Sequence, residues 1–167
     1  MWANPVVQGN LARLKGRGLM VMEPAAGPLA CGAVGLGRLP EADLIVEAVA
    51  GLLSPRDLAG RKVLVTAGPT HEDFDPVRFL TNRSSGKQGY ALARVAWRRG
   101  ADVTLVSGPS SLTAPYGVKC VAVRSARDMG AAVKARFPGV DVLLMAAAVS
   151  DYRPTQAEIR KIKRSHE

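Results

Sequence analysis

RKVLVTAGPTHEDFDPVRFLTNRSSGKQGYALARVAWRRG, residues 61–100, decides the fold. It opens with a short Val-rich run, Lys62 to Ala67, bounded by Gly60 and Gly68, which suits a strand buried on both faces better than an amphipathic helix. A polar loop follows. From about Gln88 to Arg99 the apolar residues Tyr90, Ala91, Ala93, Val95, Ala96 and Trp97 recur at helical spacing, and Gly100 is placed to end the helix. The unit is strand, long loop, helix. Strand-to-helix links usually need only about 2 to 6 residues, so a loop this long is expected to carry binding work.

The strand and helix rhythm continues beyond Gly100. Asp102 to Val106 and Val118 to Val123 read as strands, separated by the turn-rich GPSSLTAPYG. Ser125 can cap a helix over Ala126–Phe137, with Met129, Val133 and Phe137 at spacing four, and Asp141 to Ala146 reads as a fourth strand. The fold class is therefore α/β, a Rossmann-like open and mostly parallel sheet. Such sheets bind ligands at the carboxyl ends of their strands, here Gly68, Ser107 and Ala146–Ala148. The closing SDYRPTQAEIRKIKRSHE is polar and basic.

Before this sheet the pattern differs. Asn10 to Arg17 reads as the end of a short basic helix stopped at Gly18, and Leu19 to Met22 as a brief strand. GPLACGAVGLGRLPE, residues 27–41, reads as an irregular glycine-rich loop with Cys31 near its middle. A helix is expected from Glu41 to Leu53, with Leu44, Ile45, Ala48, Val49 and Leu52 on one face, and Ser54–Asp57 as a linker. Two parts result, 1–57 and 58–167.

Composition bounds the function. At 167 residues and 47% apolar, the chain is read as globular. No apolar run approaches the roughly 18 residues of a membrane span. Arg13, Lys15 and Arg17 fall where a signal peptide would be apolar, so the expected location is cytoplasmic. Cys31 and Cys120 form neither a metal-ligand spacing nor a disulfide framework. A net charge of +9 calls for an acidic partner, whether nucleotide, phosphorylated metabolite or nucleic acid. SSGKQG resembles a P-loop, but Gln88 stands where Ser or Thr would hold magnesium. The dinucleotide fingerprint fails too, since Gly68, Pro69 and Thr70 follow the strand, and an oxidoreductase of that type is disfavoured. Ser84, Ser85 and Gly86 directly precede the helix, whose amino-terminal amides attract phosphate or carboxylate; a helix cap is the structural alternative for Ser85.

The run VTAGPTHEDFDPVRFLTNRSSGKQGYALA, then AAAVSDYRP and KIK, closely resembles the ligase half of the bifunctional flavoproteins of coenzyme A biosynthesis, in which phosphopantothenoylcysteine decarboxylase is fused to phosphopantothenate-cysteine ligase. The likeness covers most of residues 60–164, and DPVRFLTNRSSGK is its most specific part. MWANPVVQGNLARL and PLACGAVGLGRLPE are similar to the closing part of the decarboxylase half. The resemblance implies a chain that holds both halves in part, with most of the FMN site and the decarboxylase histidine upstream of Met1 and further strands beyond Glu167.

It implies a two-step ligation in which the carboxylate of 4'-phosphopantothenate attacks the α-phosphate of CTP, and cysteine then displaces cytidylate. On that pattern Asn82 handles the acyl-cytidylate, Met145, Ala146, Ala147, Asp151 and Lys161 bind the nucleotide, and Lys161 supports the first step. Arg78, Ser84, Ser85 and Gly86 are candidates for the substrate's carboxylate or phosphate. A lysine ammonium can stabilise charge developing on phosphate, and a carboxamide can orient a neutral group without acting as a nucleophile. Mg2+ is expected to shield the triphosphate, with unknown ligands. Cys31 matches the proton donor of the FMN-dependent decarboxylation, a task that suits a thiol as a weak acid. Arg164 replaces a lysine common in the basic motif. The full-length proteins are expected to be homo-oligomers.

Each role has a structural alternative. Asn82 could form an Asx turn, Asp151 could satisfy loop amides and Lys161 could belong to a solvated tail. Found together in family order, they favour function for Asn82 and Lys161. A non-catalytic basic module binding nucleotide or nucleic acid through Arg94, Arg98 and Arg99 is the competing class. Aromatic residues at only 5%, without basic-aromatic interleaving, speak against a single-strand binder.

Overall fold

The computed structural model describes residues 1–163, so Arg164 and His166 lie outside the described residues. The chain divides into two compact units, Met1–Leu52 and Leu53–Glu167.

In Met1–Leu52, helix α1 (Pro5–Gly16) starts where the Asn4 side chain accepts from the Val6 amide at 2.9 Å with proline at the first helical position. The expected strand at Leu19–Met22 is absent: the segment has no strand partner among the described residues, and Leu19 and Met20 stay exposed. The glycine-rich stretch is not irregular throughout. Strands β1 (Ala25–Pro28) and β2 (Val34–Arg38) pair antiparallel, from Ala25 opposite Arg38 to Pro28 opposite Val34. Two of its glycines make the hairpin possible. Gly32, at φ +81°, turns the tip, and Gly37, at φ +151°, falls where the register slips by one residue. Helix α2 (Ala42–Leu53) follows.

The second unit is built on β3 (Lys62–Ala67), which hydrogen-bonds in parallel to β6 (Asp102–Ser107) on one edge and to β8 (Val142–Met145) on the other. With β7 (Lys119–Ala122) outside β6, the sheet order is β7-β6-β3-β8, all parallel. From Val63 to Ala67 every residue of β3 is buried. Val63, Val65 and Ala67 pack with Tyr90, Ala93 and Ala96 of helix α3 (Lys87–Arg98), while Leu64 packs with Val106 and with Met129 of helix α4 (Ala126–Arg136). The period of two that sends neighbouring side chains to opposite faces thus builds one core on each side of the sheet. Ser125 caps α4 in a full capping box with Asp128.

The long polar loop holds an unexpected hairpin, β4 (His71–Asp73) with β5 (Phe79–Thr81). Strands of three residues are too short to show a period in sequence. The hairpin is tied to the β7–α4 junction. The His71 amide donates to the Arg124 carbonyl at 2.8 Å, Asp73 takes two bonds from the Arg124 guanidinium at 2.6 and 2.7 Å, and buried Glu72 accepts from the Ala126 amide at 2.8 Å. A carboxylate at that amide also meets the positive end of α4. His71 stacks on Phe79 with ring centroids 4.0 Å apart, and its Nδ1 is buried without a partner among the described residues.

Two glycines give opposite predictions. A Cβ at Gly89 would lie 2.5 Å from the Ala67 Cβ and 2.8 Å from the Thr66 carbonyl oxygen, so Gly89→Ala should destabilise by about 1–3 kcal/mol, read as a lower denaturation midpoint. At Gly130, inside α4, a Cβ meets nothing within 4 Å, and Gly130→Ala should stabilise by about 0.5–1 kcal/mol in the same measurement.

A third prediction concerns pH. Burial and then the Arg124 guanidinium hold the His71 imidazole below its ordinary value, against the opposing pull of Asp73. The folded state therefore favours neutral His71. Its contribution is complete above the unfolded value of about 6.5 and declines as pH falls from there through the folded value. His71→Phe should flatten stability against pH over this window in chemical denaturation; an unchanged slope would refute the assignment.

Candidate functional site

Strand order locates the site. From β3 the chain runs outward on one side to β6 and β7, then returns to the other side of β3 as β8. The crevice at such a switch point opens between the carboxyl ends of β3 and β8, at Gly68 and Ala146. Here three loops approach closely: a Cβ at Gly68 would sit 3.1 Å from the Gly108 oxygen, and one at Gly86 would sit 3.1 Å from the Gly68 backbone. Gly86 also starts α3 from the left-handed region, at φ +78°, without a side-chain cap.

An open cavity of about 370 Å³ lies at this point, lined by Arg83, Ser84, Ser85, Gly86, Lys87, Gln88 and Ala146. It brings together four of the residues proposed from sequence, Ser84, Ser85, Gly86 and Ala146. The Ser84 and Ser85 hydroxyls accept long bonds from the Gly86 and Lys87 amides, at 3.3 and 3.4 Å, so both are oriented by the start of the helix. A second cavity of about 280 Å³, lined by Lys62, Asp102 and Arg136 among others, lies where β3 and β6 begin. That is the end of a parallel sheet opposite to the one where ligands bind.

The loop after β8 is stitched to the β3 side. Thr66 Oγ1 accepts from the Ala147 amide at 3.3 Å, the Gly68 carbonyl accepts from the Ala148 amide at 2.9 Å, and Thr70 Oγ1 accepts from the Ser150 amide at 3.0 Å. Asn82 completes the set. Its Nδ2 donates to the carbonyls of Ala148 and Val149 at 3.3 and 3.0 Å. Two carbonyl partners require the nitrogen on that side, which leaves Oδ1 unpartnered among the described residues. Asn82 therefore bridges two loops rather than closing an Asx turn of its own.

The remaining candidates are spread around this point. Met145 is largely exposed, whereas Ala147 turns inward to pack with the cluster of Leu64, Val106 and Met129. Asp151 is exposed, next to Ser150, whose hydroxyl donates to the Tyr152 carbonyl. Arg78 donates to the Ile162 carbonyl at 2.7 Å and pairs with Asp75 at 3.5 Å, so it is coupled to the backbone beside Lys161. Cys31 belongs to the other unit, exposed at the β1–β2 hairpin tip. Among the described residues, no three His, Cys, Asp or Glu side chains converge as metal ligands, and no helix is long and apolar enough to cross a membrane.

Sequence reading missed Thr66, Thr70 and Asp75. Within a Val-rich strand a threonine reads only as a strand former. Asp75 before Pro76 signals a turn, and nothing local announces a partner 87 residues away at Ile162.

Residues 58–167 match the family DFP, the DNA/pantothenate metabolism flavoprotein C-terminal domain. The coenzyme A biosynthesis bifunctional protein CoaBC of Mycobacterium tuberculosis is 53% identical over 173 residues, an alignment that takes in 100% of this chain and 41% of that protein. CoaBC of Vibrio vulnificus is 46% identical over 165 residues, covering 99% and 41%. A crystal structure of the C-terminal domain of CoaBC is similar at a TM-score of 0.59 and 50% identity, over 67% of this chain and 57% of that one. The DNA/pantothenate metabolism flavoprotein of Streptococcus pneumoniae gives 0.54 and 31%, over 57% and 42%. The chain spans about 41% of the length of its curated relatives. The α/β sheet at residues 62–145, the cavity at its switch point and these matches together place the chain in the DNA/pantothenate metabolism flavoprotein family, through its C-terminal domain.

Proposed function

We propose that residues 58–167 belong to a phosphopantothenate-cysteine ligase domain that uses CTP, and that residues 1–57 belong to a decarboxylase domain. The observation that carries the reading is the cavity at the β3–β8 switch point, where the uncapped start of α3 and two basic side chains, Arg83 and Lys87, meet the small residue Ala146. Helix amides and cations suit a phosphate-bearing ligand, and alanine leaves space for its close approach.

In the first step the carboxylate of 4'-phosphopantothenate forms a bond to the α-phosphorus of CTP, and the bond to pyrophosphate breaks. Lys161 offsets the negative charge that gathers on the α-phosphate. In the second step the amine of cysteine attacks the acyl carbon, cytidylate leaves and the amine loses a proton, giving the amide. With Nδ2 engaged by the loop, Asn82 offers Oδ1. An acceptor suits an N–H of the attacking amine, which it can orient without competing as a nucleophile. Ser84, Ser85, Gly86 and Arg78 remain the candidates for the substrate's carboxylate or phosphate, and Met145, Ala146, Ala147 and Asp151 for the nucleotide.

Mg2+ would enter with the triphosphate, since such ions keep several waters and bind largely through substrate phosphates. FMN does not fit the residues of Met1–Leu52. In that unit only Ala48 and Gly51 are buried, and no buried polar side chain is available to hold a flavin. The role of Cys31 as proton donor belongs to a site that other residues would have to complete. A homo-oligomeric, cytoplasmic enzyme is the setting we propose.

Calorimetric titration with CTP and Mg2+, with and without phosphopantothenate, tests the reading. Saturable binding, selective over ATP and weakened about ten- to a hundredfold by Lys161→Gln, is the expected outcome, the size following from loss of one charge-assisted contact. Binding to unrelated nucleic acids that falls steeply with salt, without selectivity for CTP, would favour the basic binding module instead.

A further inference from the structure

The segment that carries Lys161 and Lys163 has neither helix nor strand, yet it is fastened at three backbone atoms. The Glu158 amide donates to the Phe74 carbonyl at 2.8 Å, the Ile162 amide donates to Asp75 Oδ2 at 3.1 Å, and the Ile162 carbonyl accepts from Arg78 at 2.7 Å. Apolar burial does not hold it, because Ile159 is 93% exposed and Ile162 42%. Neither lysine has an ion-pair or hydrogen-bond partner among the described residues. Their placement therefore depends on the fastening of the residue between them.

We propose that Asp75 is a positioning residue for the nucleotide: its buried carboxylate, with Arg78, clasps the backbone of Ile162 and so presents Lys161 and Lys163 to the phosphates. The proposal rests on the ligase reading for the identity of the ligand, and on this chain's own geometry for the clasp. The two carboxylate oxygens divide the work. Oδ1 accepts the amides of Val77 and Arg78, both at 2.8 Å, and closes the β4–β5 turn; Oδ2 reaches Ile162. Burial pushes the Asp75 pKa upward, but the amides of Ile162, Val77 and Arg78, with the Arg78 guanidinium, outweigh it and hold the group below the usual carboxylate range. A charged acceptor at that point makes stronger bonds than a neutral one, and a loop anchored by hydrogen bonds alone needs them. Arg78 then has two tasks within reach, the Ile162 carbonyl and the Asp75 carboxylate, both of which draw the basic segment toward the β4–β5 hairpin.

A purely local role for Asp75, shaping its own turn, makes a different prediction, and two variants separate them. Asp75→Asn can keep an oxygen toward Val77 and Arg78 while its nitrogen cannot accept from Ile162. Ile162→Pro removes the donor and leaves Asp75 and its turn untouched. Both are titrated with CTP and Mg2+ in the full chain, alone and combined with Lys161→Gln, after circular dichroism has shown each to be folded. The expected result is about tenfold weaker CTP binding in each single variant, with little further loss when Lys161→Gln is added, the non-additivity of groups acting as one unit. In Asp75→Asn, hydrogen exchange at the Ile162 amide should quicken at least about tenfold, as a lost protecting bond requires. Wild-type affinity in folded Ile162→Pro, or additive losses with Lys161→Gln, would overturn the proposal. Should Asp75→Asn fail to fold, Ile162→Pro decides. If the unaltered chain does not bind CTP, the ligase reading fails, and the Ile162 exchange rate alone confirms or refutes the clasp.

Discussion

Strand β3 is enclosed on every side, by β6 and β8 along its edges and by α3 and α4 on its faces. Its amides and carbonyls are taken by neighbouring strands, and its side chains from Val63 to Ala67 are out of water. Such a strand can offer chemistry only where it ends. Past Ala67 the chain turns at Gly68, and the loops after β6 and β8 and the start of α3 are drawn to that one place. The approach of α3 is set by Gly89, Ala93 and Ala96, which are small enough to bring the helix onto the strand. Close packing there fixes where the first amides of the helix point, and so fixes the floor of the cavity.

Polar atoms buried at this end cannot be left without partners, and their pairing is what holds the loop after β8. Thr66 and Thr70 are both essentially inaccessible, and each takes an amide from that loop. Asn82 adds two more bonds to the same segment from the opposite wall. Thr66, Thr70 and Asn82 thus stiffen residues 146–150 through neutral hydrogen bonds, single for each threonine and paired for Asn82, each worth only about 1 kcal/mol net. The wall is held firmly enough to have a shape, yet a ligand that replaced the Asn82 bonds could displace it at modest cost.

How much of this was written in the sequence depends on range. The central strand, α3 and the Ser125 cap were legible because each is a local pattern: a Val run between glycines, helical spacing, and a serine directly before a helical repeat. The β4–β5 hairpin was not, since its strands are short and its anchors, Arg124 and the Ala126 amide, lie more than fifty residues away. The glycine-rich segment misled for a related reason. Glycine was read as a breaker, whereas Gly32 and Gly37 supply the turn and the register slip that an otherwise ordinary hairpin needs. Of the proposed site, the residues contiguous in sequence, Ser84–Gly86, came out together in one cavity with Ala146; the link from Arg78 to the Lys161 segment required the fold.

The charge distribution bears on what the site receives. Along the α3 face that carries Arg94, Arg98 and Arg99, Arg99 is paired with Asp57, and Arg94 and Arg98 also have partners. Arg124 is bound to Asp73, Arg61 to Asp141 and Lys119 to Asp102. Exposed pairs like these add little stability, a median of about 0–1 kcal/mol, but they remove positive potential from the surface that carries them. Arg83 and Lys87 in the cavity, and Lys161 and Lys163 on the clasped segment, have no such partner among the described residues. The uncompensated cations therefore include those at the carboxyl end of the sheet, beside the helix amides. A long polyanion gains most from charge spread along a face, whereas a compact triphosphate gains most from a few cations converging on one cavity. Arg83 and Lys87, which line one cavity, are the pair that the second kind of ligand would use under the proposed ligase reading.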